Sequence, residues 1–301
     1  MIEVRGLTKR YRDRSVIDNL SFRVGPGAVT GFLGPNGSGK TTTARVILGL
    51  TEPTNGTATI DGRRYRELRH PLREIGALID AGGVNPNRTA VEHLRWLAAA
   101  NRLDSRRAEE VLGVVGLEVA AGRKVGGFSL GMRQRLGIAA ALIGDPPVLV
   151  LDEPINGLDP EGICWLRAFT QALATEGRTV FLSSHLMSEM AMTATELVVI
   201  GRGRLIAAES VTAFTERADS SVRVRSPELD RLAVALAGEV TSMWRVDDAL
   251  EVTGIGIERV GAIALKLGVH LHELSPQRAS LEDAFMRLTA DATEYLPQRA
   301  A

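Results

Sequence analysis

The 301-residue sequence has a single cysteine, Cys164, which rules out an internal disulfide and any zinc site built from several thiolates, and fits a reducing compartment. Cys164 reads as an ordinary helix residue. An excess of one charge is also missing: 36 Lys and Arg balance 36 Asp and Glu, so no long-range attraction draws the chain to nucleic acid or to an anionic membrane. Partners must be recognised locally, and nucleic acid is not expected among them. The N-terminal MIEVRGLTKRY lacks the apolar run of a secretory signal, and no window approaches the ~18 apolar residues that suggest a spanning helix. A soluble or peripheral protein is expected. The hydrophobic content, 45%, is enough to bury a substantial core in one large domain or two ordinary ones.

The pattern along the chain begins with strand-like alternation at Ile2 to Val4 and Val16 to Val24, then Val29 to Leu33 running into glycines. A helix over Thr41 to Leu50 follows, with Val46, Ile47 and Leu50 at core-facing spacing, and EPTNG turns the chain into a strand at Thr57 to Asp61. From about Thr89 to Leu117 the spacing is helical, and a further helix runs from Gly131 to Leu142. The apolar VLVLDE at Val148 to Glu153 reads as a buried parallel strand, followed by strands at Thr179 to Ser183 and Leu197 to Ile200 separated by helical segments. A mostly parallel α/β sheet with helices on its faces is expected. Beyond about Ala213 a second unit begins: strand Ser221 to Arg225, helix Glu228 to Ala237, strands Val240 to Arg245 and Ala249 to Thr253, helix Ile257 to Leu267, strand Val269 to Leu274. That order is βαββαβ, the ferredoxin-like arrangement. A last helix, Ser280 to Leu288, carries Ser280 as N-cap and Asp283 three residues on.

The chemistry is concentrated in GPNGSGKT, which is Gly34, Pro35, Asn36, Gly37, Ser38, Gly39, Lys40 and Thr41, with Thr42 next. It matches G-x-x-x-x-G-K-[ST] in full, after a strand and before a helix, as a phosphate-binding P-loop requires. Small residues let successive N–H groups wrap a phosphate while the helix N-terminus adds partial positive charge. Lys40 is expected to reach β- and γ-phosphate oxygens of ATP, and the Thr41 hydroxyl to hold Mg²⁺. At the end of VLVLD, Asp152 is a second Mg²⁺ anchor, and Glu153 is the candidate general base for the attacking water, because adjacent strand residues face opposite sides.

The stretch FSLGMRQRLGIAAALIGDPPVLVLDEP, Phe128 to Pro154, resembles the signature-to-Walker-B block of ATP-binding-cassette (ABC) ATPases. Ser129 and Gly131 match the family's LSGGQ, whereas Leu130 and Met132 depart from it. The resemblance implies that Ser129 and Gly131 close over the ATP of a second copy of the chain, that Asp159 in Asn156-Gly157-Leu158-Asp159 crosses that interface, and that His185 senses the γ-phosphate. It also sets Tyr11 where an aromatic stacks on adenine, and Asp80 where glutamine is usual. Asp80 can still bind Mg²⁺ but cannot donate an amide hydrogen bond to the lytic water.

The tail Ser280-Leu281-Glu282-Asp283-Ala284-Phe285 looks like the end of cassettes that serve ABC-2 type exporters of the drug and antibiotic efflux group. The resemblance implies an ABC ATPase domain over residues 1–215, with a helical subdomain at about 85–142, and a ferredoxin-like accessory domain with a final helix over residues 216–301. It further implies an ATP- and Mg²⁺-dependent homodimer on the cytoplasmic face of the membrane, driving efflux through separate integral membrane permease subunits. An importer ATPase and a soluble ATPase acting on ribosomes or nucleic acid are the alternatives. Two cassettes in one chain, or a long coiled-coil insertion, would mark the latter, and neither is present.

Overall fold

The computed structural model describes residues 1–12, 14–216, 221–277 and 281–289. Two units emerge, Met1–Ser210 and Val211–Leu288, with Thr289 grouped with the first. In the first, β1 (Ile2–Tyr11) pairs antiparallel with β2 (Arg14–Val24) and with β4 (Asn55–Ile60), in the order β2-β1-β4. Ile2, Val4 and Leu7 from β1 and Ile17, Leu20 and Phe22 from β2 are buried, which fastens this sheet to the core beneath it.

That core is a second sheet of β3 (Ala28–Leu33), β5 (Ile75–Leu78), β6 (Val148–Leu151), β7 (Thr179–Ser183), β8 (Glu196–Gly201) and β9 (Arg204–Ser210), ordered β5-β6-β7-β3-β8-β9. Pairing is parallel except for the β8–β9 hairpin. All four residues of β6 are buried, the signature of a parallel strand covered on both faces. The chain has few aromatics, yet three of its seven phenylalanines meet here: Phe22, Phe32 and Phe181 have ring centroids 4.9–5.7 Å apart and join the two sheets.

Helices α1 (Lys40–Ile47), α2 (Pro71–Glu74), α3 (Ala90–Ala100), α4 (Arg107–Val114), α5 (Leu130–Leu142), α6 (Pro160–Thr175) and α7 (Met187–Thr193) complete this unit. The first of them is shorter than the apolar spacing suggests. Gly49, at φ +64°, ends it, so Leu48 turns inward and Leu50 is 65% exposed instead of facing the core. The carboxyl ends of β6, β7 and β3 lie side by side in the sheet, and the segments that follow them therefore meet at one edge.

In the second unit α8 (Val211–Glu216) precedes β10 (Ser221–Arg225), α9 (Leu229–Leu236), β11 (Ser242–Val246), β12 (Ala249–Thr253), α10 (Ile257–Leu267), β13 (Glu273–Gln277) and α11 (Leu281–Thr289). The strand order β11-β12-β10-β13, antiparallel throughout, is that of a ferredoxin-like sheet. Leu229, Leu232 and Leu236 of α9 and Val260 and Ile263 of α10 pack over Val222, Val224, Leu250 and Val252. The alternation VHLHEL points to a strand at Val269 to Leu274, but the strand lies four residues later. It contains Pro276, tolerated because β13 is an edge strand among the described residues. Ser280 lies outside the described residues.

Candidate functional site

The loop after β3 is held in a shape that only small residues allow. Gly39, at φ +107°, would place a Cβ 2.9 Å from the Val16 carbonyl, and a Cβ on Gly34 would lie 2.6 Å from the Ile200 carbonyl. The Ser38 N–H donates to the Pro35 carbonyl at 3.1 Å, and the Gly203 N–H donates to Ser38 O at 3.1 Å. Lys40, only 7% exposed, curls back so that its Nζ donates to Gly34 O at 2.7 Å and Pro35 O at 3.4 Å. Burial pushes its pKa below the ordinary lysine range, while the charges of Glu153 and Asp152 oppose that shift. The Ser38 hydroxyl is buried and has no hydrogen-bond partner among the described residues. A cleft of about 390 Å³ opens over the loop, lined by Val16, residues 36–42, Glu153, Asn156 and His185.

Two carboxylates enter from the end of β6. Asp152 is buried, and its Oδ1 accepts a 2.5 Å hydrogen bond from the Ser183 hydroxyl at the end of β7. Glu153 is not the next strand residue: β6 stops at Leu151, and Glu153 adopts φ +49°, a conformation that costs a residue with a Cβ about 1–2 kcal/mol. The divergence of the two carboxylates therefore comes from a left-handed turn and not from strand alternation. Ser183 Oγ accepts the Glu153 N–H at 2.9 Å, and Gln134 Nε2 of α5 donates to Glu153 O at 3.0 Å. The Glu153 carboxylate meets His185 Nδ1 at 2.7 Å, at the partly exposed mouth of the cleft.

Asp80, just beyond β5, lines an adjoining cavity of about 280 Å³ together with Asp152, and this cavity shares Glu153 and Asn156 with the first. Its Oδ1 accepts the Gly82 N–H at 2.7 Å, which fixes the turn that carries it. Ser129 caps α5 by accepting the Met132 N–H at 3.2 Å, and Asp159 caps α6 by accepting the Gly162 N–H at 2.8 Å. Gly131 abuts the segment before Asp159, since a Cβ on it would lie 2.9 Å from Gly157 O. Tyr11 ends β1, is 47% exposed, and has Lys9 Nζ 4.8 Å from its ring centroid. The P-loop, Glu153 and His185 thus line one cleft and Asp80 and Asp152 the adjoining cavity, whereas Ser129, Gly131, Asp159 and Tyr11 do not line either cavity.

Sequence comparison accounts for this arrangement. The ABC transporter profile matches residues 17–156, and the bacitracin transport ATP-binding protein BcrA of Bacillus licheniformis is 35% identical over 97% of this chain and 98% of its own length. The chain belongs to the ABC transporter family. It is an ATP-binding cassette with ATPase chemistry. The lantibiotic transport ATP-binding protein SrtF of Streptococcus pyogenes is 36% identical to the cassette over 68% of this chain and 89% of its own. A dimeric post-hydrolysis structure of the ATP-binding cassette MJ0796 with ADP and Pi superposes at a TM-score of 0.62, with 25% identity, over 70% of this chain and 99% of that one. Residues 220–282 match a domain of unknown function, DUF8746.

The cassette's residues fit a nucleoside triphosphate: the buried Lys40 ammonium and the glycine-rich segment 36–42 at the start of α1 line one cleft. Two residues that the motifs do not announce, Ser183 and Gln134, hold the carboxylate pair through one side-chain and two backbone bonds. Their only advance signal is the polar Ser183 at the end of an otherwise apolar strand and the polar Gln134 on a buried face. Replacing Ser183→Ala strips a donor from buried Asp152 and an acceptor from the Glu153 N–H together. The variant is expected to lose about 1–3 kcal/mol of stability in urea unfolding and to lower ATPase turnover without abolishing ATP binding.

Proposed function

We propose that this cassette hydrolyses Mg-ATP as one of a pair of identical subunits and drives export through separate membrane proteins, working at the cytoplasmic face of the membrane. The observation that carries the reading is the Glu153 carboxylate, held by His185 at the mouth of the P-loop cleft and separated in environment from its buried neighbour Asp152. In this scheme the loop amides and Lys40 bind the β- and γ-phosphates. Thr41 in the cleft and Asp152 in the adjoining cavity, both hard oxygen donors, would hold Mg²⁺, with Asp80 of that same cavity as a further carboxylate. The ion, when bound, neutralises charge on the phosphate oxygens.

Glu153 takes a proton from the attacking water as its oxygen bonds to the γ-phosphorus and the bond to the β-bridging oxygen breaks, leaving ADP and phosphate. His185 orients that carboxylate and stands where a γ-phosphate would be felt. Ser129, Gly131 and Asp159 lie outside the cleft, which suits residues that complete the site of a second copy, and Tyr11 would stack on adenine. The functional division is residues 1–215 as ATPase, with 85–142 as its helical subdomain, and 216–301 as an accessory domain.

Among the described residues no helix is long and apolar enough to cross a membrane, and in this scheme separate chains supply the membrane path. Relatives named for bacitracin and for lantibiotic transport share almost the same identity with this chain, 35% and 36%, so identity to them does not single out one cargo. Affinity purification from membranes tests the assembly. The cassette is expected to bring down a multi-helix permease, and reconstitution of the pair in vesicles to raise ATP turnover. Recovery with ribosomes, or with an importer permease and its binding protein, would overturn the exporter reading.

A further inference from the structure

The peptide groups around Glu153 are held by side chains from two different parts of the cassette. On the amide side, Ser183 at the end of β7 accepts the Glu153 N–H at 2.9 Å, and on the carbonyl side Gln134 of α5 donates at 3.0 Å. Between these two bonds lies a Cα at φ +49°, a conformation that persists only where its surroundings over-determine it. Gln134 is itself 6% exposed, on a helix whose other inward residues, Leu136, Ile138 and Ala139, are apolar. A long polar side chain in such a place must have a partner, and the partner of its amide N–H is the main-chain carbonyl of Glu153, the residue whose carboxylate faces the cleft.

The helix that carries Gln134 also carries Ser129 and Gly131 at its start. Gly131 and Gln134 stand three residues apart on one helix face, one against Gly157 and the other against Glu153. A shift of α5 therefore moves the carbonyl side of Glu153, while β7 holds the amide side within the parallel sheet.

We propose that Gln134 is a positioning residue for the hydrolytic base: through the Glu153 carbonyl it ties the direction of the Glu153 carboxylate to the placement of α5, and so to whatever engages Ser129 and Gly131. This rests on Glu153 being the base. In this role Gln134 need not touch nucleotide or water; its contact is with the Glu153 main chain. It acts by selecting the backbone conformation from which Glu153 addresses the cleft.

The test is a double-mutant cycle on the full-length chain, with steady-state ATPase activity, equilibrium ATP binding and thermal melting measured on each protein. Gln134→Met keeps the length of the side chain and removes the donor. It is expected to lower kcat about tenfold, the worth of one hydrogen bond to a buried carbonyl, with KM and ATP affinity unchanged. Gln134→Glu keeps both length and polarity but presents an acceptor in place of the N–H, and the same drop is expected. Placed in a Glu153→Gln background, Gln134→Met is expected to leave the residual turnover as it was, because the group it positions is no longer a base.

An equal fractional loss in both backgrounds would mean that Gln134 serves the fold at large, and wild-type turnover in Gln134→Glu would mean that its N–H is dispensable. Either result overturns the proposal while leaving Glu153 as the base. If Glu153→Gln alone turns over normally, the base assignment fails, and this inference fails with it.

Discussion

Glu153→Gln is expected to bind ATP as tightly as the parent chain, to hydrolyse it at least about 100-fold more slowly, and to run as a dimer when Mg-ATP is present. The substitution keeps almost everything the structure shows at that position. The backbone N–H still donates to Ser183 and the carbonyl still accepts from Gln134, since both bonds use main-chain atoms. A glutamine oxygen can also still accept a hydrogen bond from His185 Nδ1. What disappears is the ability to accept a proton. The loss belongs in kcat and not in affinity because the loop proposed to bind phosphate is a different segment, Gly34 to Thr42. Size-exclusion chromatography with ATP and with ADP, beside a steady-state phosphate-release assay, checks both halves. Near-normal turnover would remove Glu153 from the chemistry, and a variant that hydrolyses slowly but stays monomeric with ATP would detach hydrolysis from dimerisation.

How much of this site was readable in advance depends on which atoms do the work. The P-loop could be read whole, because its function forces small residues into a fixed spacing: a Cβ at Gly34 or Gly39 has nowhere to go. Asp152 and Glu153 could be read as a pair but not in their geometry, since a left-handed Glu153 has no marker in the letters DEP. Ser183 and Gln134 left almost no trace. Their targets are mainly main-chain groups, and a main-chain carbonyl looks the same whatever residue bears it.

The fold shows a similar limit. The buried VLVL of β6 and the exact limits of β7 follow from apolar content, whereas β9, Arg204–Ser210, has weak alternation and escaped, although Gly201-Arg202-Gly203 before it is a hairpin turn. In the second unit the apolar letters of VHLHEL outweighed the true strand, because a proline argues against a strand unless one knows that the strand is at an edge. Edge position is a property of the sheet and not of the segment.

Lys40→Met is expected to weaken ATP binding by about 100-fold or more, while the nucleotide-free protein unfolds at a temperature no lower than the parent's. The two halves have one cause. Lys40 is a charge taken out of water, and among the described residues its ammonium has two carbonyl acceptors, Gly34 O and Pro35 O, the second at 3.4 Å. Its lowered pKa expresses that cost, with burial the largest contribution. A methionine of similar length fills the same space without a charge to desolvate, so the empty loop loses little. Phosphate reverses the balance: the ammonium gains charge-assisted bonds that no thioether can make, each worth about 1.5–3 kcal/mol. Differential scanning fluorimetry with and without Mg-ATP reads both terms in one experiment. The parent is expected to be stabilised by nucleotide in a concentration-dependent way and Lys40→Met to be indifferent to it. A Lys40→Met protein that melts far below the parent without nucleotide would show that Lys40 holds the empty loop together, and that its burial serves the fold before it serves the phosphate.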